Sequence, residues 1–98
     1  MVQIRWSFRA RKDLSEIKEY ISIDSIRYAE NQILDIRRKV QLLKSHPLIG
    51  KIVNEIGDPK YREILHGNYR IIYRIKSPDQ IDIITVHHGA RNLEKGSF

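Results

Sequence analysis

The stretch YRIIYRI, residues 69–75, decides the fold class. Its side chains alternate across a β-strand, so one face is apolar around Tyr73, and the other carries Arg70 and Arg74 on either side of Ile72. Isoleucine on both faces is typical of a central strand with helices on one side of the sheet. Because a buried cation needs a partner, both arginines are expected to face a groove or the open face of the sheet.

Two further strands are predicted beside this one, at residues 62–65 and 81–87. The tripeptide His-Gly-Asn at residues 66–68 is typical of a tight turn, and Ser-Pro-Asp-Gln at residues 77–80 makes the next turn. The three strands are therefore expected to form an antiparallel meander.

The first half of the chain predicts a strand followed by two helices. Residues 2–6 alternate as a half-buried strand does, and Ser7 offers an N-cap to an apolar stripe over about residues 8–22. A second cap within residues 22–25 precedes an apolar seam, which ends before Pro47. The seam consists of Ile26, Ala29, Ile33, Ile36, Val40 and Leu43. Its short length favours an intramolecular helical hairpin over a free coiled coil.

The complete arrangement is a single α+β domain over residues 1–98: an N-terminal strand, a helical hairpin and an antiparallel three-strand meander. Residues 46–60 form the connecting loop, with a short extended piece at residues 52–53. Trp6 and Tyr20 are expected in the core rather than on a stacking platform.

The composition limits the function classes. The net charge of +6 and the pI near 9.8 indicate either an anionic partner or a solubilising surface. No apolar run approaches the roughly 20 residues of a membrane span, and the N-terminus does not resemble a signal peptide, so a cytoplasmic protein without membrane contact is expected. The chain has no cysteine, its histidines lack ligand-like spacing, and neither a metal nor a cofactor is expected.

Six basic side chains are the candidates for binding a target or a nucleic acid. They are Arg62, Arg70, Arg74, His87, His88 and Arg91. A guanidinium donates two parallel hydrogen bonds to phosphate or carboxylate, and a histidine among arginines stays neutral and can act as a base. The structural alternative is that Arg70 simply pairs with a carboxylate such as Glu63 or Asp82.

Several short motifs, in this order, resemble the RelE/ParE superfamily of bacterial toxins. They are Trp6-Ser7 with Ala10, Asp13-Leu14, Ile17 and Tyr20-Ile21, the loop from Pro47 to Gly50, the strand Tyr-Arg-Ile-x-Tyr, and the ending Val-x-His-x-x-Arg at residues 86–91. The resemblance extends from about residue 4 to residue 93. It implies a helical hairpin on a mainly antiparallel sheet and a cognate antitoxin whose C-terminal segment wraps the toxin. It also implies that operator DNA is contacted only through the antitoxin complex.

The superfamily offers two targets. RelE-type members cut mRNA on the ribosome, whereas ParE-type members poison DNA gyrase. Arg70 matches the strand arginine of the nuclease branch, but Ile64 stands where a second lysine would be expected, and residues 92–98 contain no tyrosine. His88 followed by Arg91 resembles the ParE-type ending. The ParE-type hypothesis is favoured, so no catalysis is expected.

Two alternatives remain open. One is a ribosome-dependent endoribonuclease in which Arg70 and His88 are the catalytic candidates. The other is an inactive relative that only binds its antitoxin.

Overall fold

The computed structural model describes residues 2–89. In chain order the elements are β1 (Gln3–Trp6), α1 (Phe8–Ser22), α2 (Ile26–Gln41), a 3-10 turn (Leu42–Lys44), β2 (Lys51–Ile52), β3 (Tyr61–His66), β4 (Tyr69–Ser77) and β5 (Gln80–His88). This order confirms the predicted α+β class, with a strand, a helical hairpin and a three-strand meander.

Both helices begin at the serine caps that the sequence predicts. The Ser7 hydroxyl oxygen accepts a hydrogen bond of 2.9 Å from the amide of Ala10, and the Ser25 hydroxyl oxygen accepts one of 3.1 Å from the amide of Tyr28. Each bond satisfies one of the amides that the first turn of a helix leaves without an intrahelical partner. The helix α2 ends before Pro47, as expected.

The apolar seam of α2 is confirmed along most of its length. Its members Ala29, Ile36, Val40 and Leu43 are fully buried. The prediction is wrong for Ile26, which is 65% exposed, and Tyr20 of α1 is likewise 73% exposed rather than in the core. Both side chains lie next to the connection between the helices, where the packed interface ends.

The sheet has the order β1-β5-β4-β3-β2, so β4 lies at its centre. The meander β3-β4-β5 is antiparallel, and β1 pairs in parallel with β5. The helical hairpin packs on one face of the sheet, where Leu14 and Ile36 meet Ile71, Tyr73 and Ile83 in one buried cluster. The parallel pairing of β1 thus places the N-terminal strand at the edge of the sheet, next to the last strand.

Tyr73 connects the core to the loop between α2 and β3. Its hydroxyl donates a hydrogen bond of 2.7 Å to the carbonyl of Pro47 and accepts one of 3.0 Å from the amide of Gly50. A Cβ at Gly50 would lie 2.7 Å from the Tyr73 hydroxyl and 2.7 Å from the Glu63 carbonyl oxygen, so this close approach needs glycine. The extended piece of this loop is β2, one residue earlier than predicted.

Two side chains of α2 hold the β3–β4 hairpin against the helices. The Lys39 ammonium donates a hydrogen bond of 2.9 Å to the carbonyl of Leu65, and Gln32 Oε1 lies 2.8 Å from His66 Nε2. Gly67, with a φ of 56°, makes the turn between the two strands. The tip of the hairpin is thus held to α2 by side chains.

Neither α1 nor α2 has the length and apolarity needed to cross a membrane.

We expect Tyr73→Phe to lower the free energy of unfolding by about 1–3 kcal/mol, because it leaves the buried amide of Gly50 without its acceptor. Urea denaturation measures the effect. The control is Tyr20→Phe, which removes an exposed hydroxyl and should change the free energy by less than about 0.5 kcal/mol. Equal effects of the two variants would mean that the Tyr73 hydroxyl does not anchor the loop.

Candidate functional site

The candidate site is built around Arg70 on the central strand β4. The register places Arg70 opposite Leu65 on β3 and opposite His87 on β5. Directly opposed side chains in neighbouring strands share a face. The next residue, Ile71, belongs to the core under the helices, so Arg70 points to the face that the helical hairpin does not cover.

Two carboxylates engage the Arg70 guanidinium. Its Nε and Nη2 donate to Glu63 Oε2 at 2.6 and 2.5 Å. Its Nη1 and Nη2 donate to the two oxygens of Glu55 at 2.7 and 2.9 Å, which is a bidentate contact. The side chain of Arg70 is 17% exposed, that of Glu63 is 3% exposed and that of Glu55 is 34% exposed. The structural alternative for Arg70 is therefore confirmed for Glu63, and Glu55 is a second partner that the sequence did not predict.

An open groove of about 620 Å³, the Arg70 groove, adjoins these ion pairs. Its lining includes Lys51, Asn54, Leu65, Tyr69, Arg70 and His88. Lys51 lies 3.5 Å from Glu63, so two cations face two carboxylates and their charges balance. A phosphate in the groove would meet carboxylates that already hold the cations. The groove is therefore better suited to exchange one carboxylate for another than to collect phosphates.

The pairing shifts the titration of both partners. Hydrogen bonds from Arg70 lower the pKa of the Glu55 carboxyl from its usual 4.5 to about 2. The same contact with Glu55 raises the pKa of the Arg70 guanidinium above its ordinary value. Glu55 is therefore ionised at every pH at which the protein would act.

Arg62, one of the six basic candidates, does not share a face of the sheet with Arg70 and Arg74. Its register partner is Tyr73, whose side chain belongs to the core under the helices. The guanidinium of Arg62 instead donates to the carbonyls of Pro59 and Gly50, at 2.9 and 3.0 Å. Arg62 thus holds the loop around β2 in place.

Arg74 pairs with a carboxylate across the sheet. Its Nη2 donates to Asp82 Oδ2 at 3.0 Å, and Asp82 also accepts a hydrogen bond of 2.8 Å from Gln80 Nε2. Asp82, considered as a partner for Arg70, is in fact the partner of Arg74. Both strand arginines are therefore neutralised where they lie.

The adjacent histidines project to opposite faces. His87 lies opposite Arg70, whereas His88 lies opposite Tyr69, and the rings of His88 and Tyr69 meet edge to face with centroids 5.3 Å apart. His88 lines both the Arg70 groove and a second groove of about 360 Å³ beside α1. The role of His88 as a catalytic candidate stays a prediction. Arg91 lies outside the described residues.

Asp13 fixes the end of β5 that carries the histidines. Its Oδ2 accepts hydrogen bonds of 2.5 Å from the Thr85 hydroxyl and 3.0 Å from the Val86 amide. These bonds join α1 to β5 next to the irregular register at Ile72 and Tyr73. Asp13 appears in the sequence motifs, but its bonding to β5 has no signal in the sequence. Within residues 2–89, no group of three or more histidine, aspartate or glutamate side chains could hold a metal ion.

Comparisons with known proteins agree on one family. The family model described as "ParE toxin of type II toxin-antitoxin system, parDE" matches residues 4–93. Toxin ParE1 of Mycobacterium tuberculosis, in the strains CDC 1551 / Oshkosh and ATCC 25618 / H37Rv, is 25% identical over 67 residues, which are 68% of this chain and 67% of that protein. A chain in the solved structure of the chromosomal ParDE TA system from P. aeruginosa has a TM-score of 0.73 at 21% identity, covering 90% of this chain and 96% of that chain. The structural match shows the shared fold.

We expect Arg70→Ala to lower the free energy of unfolding by about 3 kcal/mol or more, because it removes the main partner of the buried Glu63. Arg74→Ala, a loss of the same side chain from the same strand, should cost about 1 kcal/mol or less, since its ion pair is more exposed. Chemical denaturation of both variants provides the measurement. The structural role assigned to Arg70 is wrong if the two losses are equal.

The Glu55–Arg70 pair should make stability depend on pH in one window. Folding lowers the pKa of Glu55 from 4.5 to about 2. The ion pair therefore stabilises the folded state fully above pH 4.5, and this stabilisation is lost as the pH falls towards about 2. Because Glu55 is partly exposed, the contribution is on the order of 1–2 kcal/mol. In denaturation measured across this window, Glu55→Gln should lose less stability than the parent chain. Parallel pH profiles would contradict the assignment.

Proposed function

The chain belongs to the ParE toxin family of type II toxin–antitoxin systems, and from this we propose that it arrests growth by binding and poisoning DNA gyrase. We further propose that a cognate antitoxin neutralises it in the cytoplasm. The resemblance predicted from the sequence is confirmed as far as the ParE branch. Gyrase as the target follows from what that branch implies.

The engagement of Arg70 by Glu55 and Glu63 is the observation that carries the choice of target. A ribonuclease of the RelE type needs cations that are available to a phosphate as charge develops during cleavage. Here the guanidinium already makes hydrogen bonds to two carboxylates, one of which is buried. Breaking those pairs would leave the buried Glu63 with only the more distant, exposed Lys51 as a cation. This cost favours a toxin that acts by binding a protein.

Exposed apolar side chains support a protein partner as well. Several large ones lie in the helical hairpin and its connecting turn: Phe8, Tyr20, Ile23, Ile26, Tyr28 and Leu34. Apolar surface of this kind is typical of sites that another protein covers. Together with the net charge of +6, it fits an antitoxin with apolar and acidic side chains.

Induction of the chain in a bacterial host should stop thymidine incorporation before methionine incorporation and leave mRNA intact. Gyrase poisoning stalls replication first, whereas a ribosome-dependent nuclease stops protein synthesis first. Both incorporations are followed with separate labels, and mRNA ends are mapped. Co-expression of the antitoxin encoded beside the toxin gene should restore growth.

Two results would contradict this proposal. Early loss of methionine incorporation, with mRNA cuts that disappear in His88→Ala, would make the chain an endoribonuclease with Arg70 and His88 in its active site. Normal growth after induction of a folded, abundant chain would make it an inactive relative that only binds its antitoxin.

A further inference from the structure

We propose that Glu55 occupies Arg70 as an internal substitute for a carboxylate of a protein partner, and that the Arg70 groove binds an extended, acidic and apolar segment that displaces Glu55. Glu55 would then act as a built-in competitor that lowers the affinity for this segment. The identity of the partner rests on the proposed function, under which the segment belongs to the antitoxin.

The two carboxylates on Arg70 differ in how firmly they are held. Glu63 belongs to strand β3, is buried and also lies near Lys51. Glu55 lies in a turn between strands, and a third of its side chain is exposed. Of the two, Glu55 is the carboxylate that can move away from Arg70 into solvent, because Glu63 would remain a buried anion without this partner.

The turn that carries Glu55 does not depend on the Glu55 side chain for its shape. The amides of Ile56 and Gly57 both donate to the carbonyl of Val53, at 3.1 and 2.9 Å. Val53 is itself fully buried, and its amide donates to the carbonyl of Tyr61 at 3.0 Å. A rotation of the Glu55 side chain is therefore enough to release Arg70 while the backbone of the turn stays in place.

The geometry of the contact is that of carboxylate recognition. Two guanidinium nitrogens face the two oxygens of Glu55 in parallel, an arrangement that any aspartate, glutamate or terminal carboxylate reproduces. Exchange of one carboxylate for another preserves the local charge. A phosphate would bring more negative charge beside Glu63, which remains in place, so a protein acid fits this site better than an RNA backbone.

The rest of the groove indicates what accompanies the carboxylate. Leu65 lies opposite Arg70 in the sheet, lines the groove and is 53% exposed. Lys51 and the amide side chain of Asn54 supply polar contacts along the same wall. A segment that alternates acidic and apolar side chains satisfies both kinds of surface.

A short, capped peptide of alternating leucine and glutamate is the probe, and its dissociation constant is measured with the purified full chain. We expect Glu55→Gln to bind this peptide about tenfold more tightly than the parent chain, since the competing charge-assisted contact is lost. Glu55→Asp, which keeps the charge but shortens the side chain, should lie between them. A matched peptide with glutamine in place of glutamate should show no gain.

Asp79→Asn is the control for the overall change in charge. It removes one negative charge from the turn after β4, roughly 20 Å from Arg70 along the strand, beyond the screening length at physiological salt. Its affinity for the peptide should change by less than about twofold. Circular dichroism of each variant shows whether the fold is retained.

The proposal is overturned if Glu55→Gln and Asp79→Asn bind the peptide equally well, or if Glu55→Gln binds it more weakly. It is also overturned if Glu55→Gln gains affinity for a single-stranded RNA oligonucleotide and not for the peptide, because the groove would then be a phosphate site. Gyrase takes no part in this measurement. A tenfold gain in peptide affinity for Glu55→Gln, in a chain that does not stop replication, would refute gyrase as the target and leave this proposal intact.

Discussion

The arrangement of the open sheet face depends on one requirement: Arg70, on the central strand, must have its charge neutralised. Glu63 meets this requirement from the neighbouring strand, and Glu55 meets it from the loop that follows β2. Because Glu63 is nearly inaccessible to solvent, the pair cannot be broken from the arginine side without leaving a buried anion. The ion pairs therefore set the charge of the groove, while backbone hydrogen bonds of Val53 hold the loop that borders it.

The same loop is held from the opposite face of the sheet by hydrogen bonds to its backbone. Tyr73 and Arg62 both contact the segment between Pro47 and Pro59, through the carbonyls of Pro47, Gly50 and Pro59 and the amide of Gly50. One long connection, without a helix of its own, is thus fixed by side chains from two strands. This explains how fifteen or so residues of loop can form one wall of a defined groove.

Local signals in the sequence were enough to predict the helices and strands, but not to predict which charged side chains pair. Caps at Ser7 and Ser25, the spacing of Ala29, Ile36 and Val40, and the turn at Gly67 act over three or four residues, so they predict helices and hairpins directly. The face on which Arg62 lies could not be predicted, because it depends on the register between β3 and β4. Glu55 was missed because a loop residue has no periodicity, and its distance from Arg70 is set by tertiary structure alone.

Because Arg70 and Arg74 are paired with carboxylates, the net positive charge of the chain is not located at the centre of the sheet. With Arg70 and Arg74 paired, the excess of cations must lie elsewhere, and exposed basic residues are numerous on the helices, as at Arg9, Arg37 and Arg38. Among the described residues, the exposed basic side chains are thus concentrated on the helical side. The Arg70 groove presents a balanced, partly apolar surface instead. Such a surface distinguishes partners by the exchange of carboxylates rather than by long-range attraction, because its net charge is close to zero.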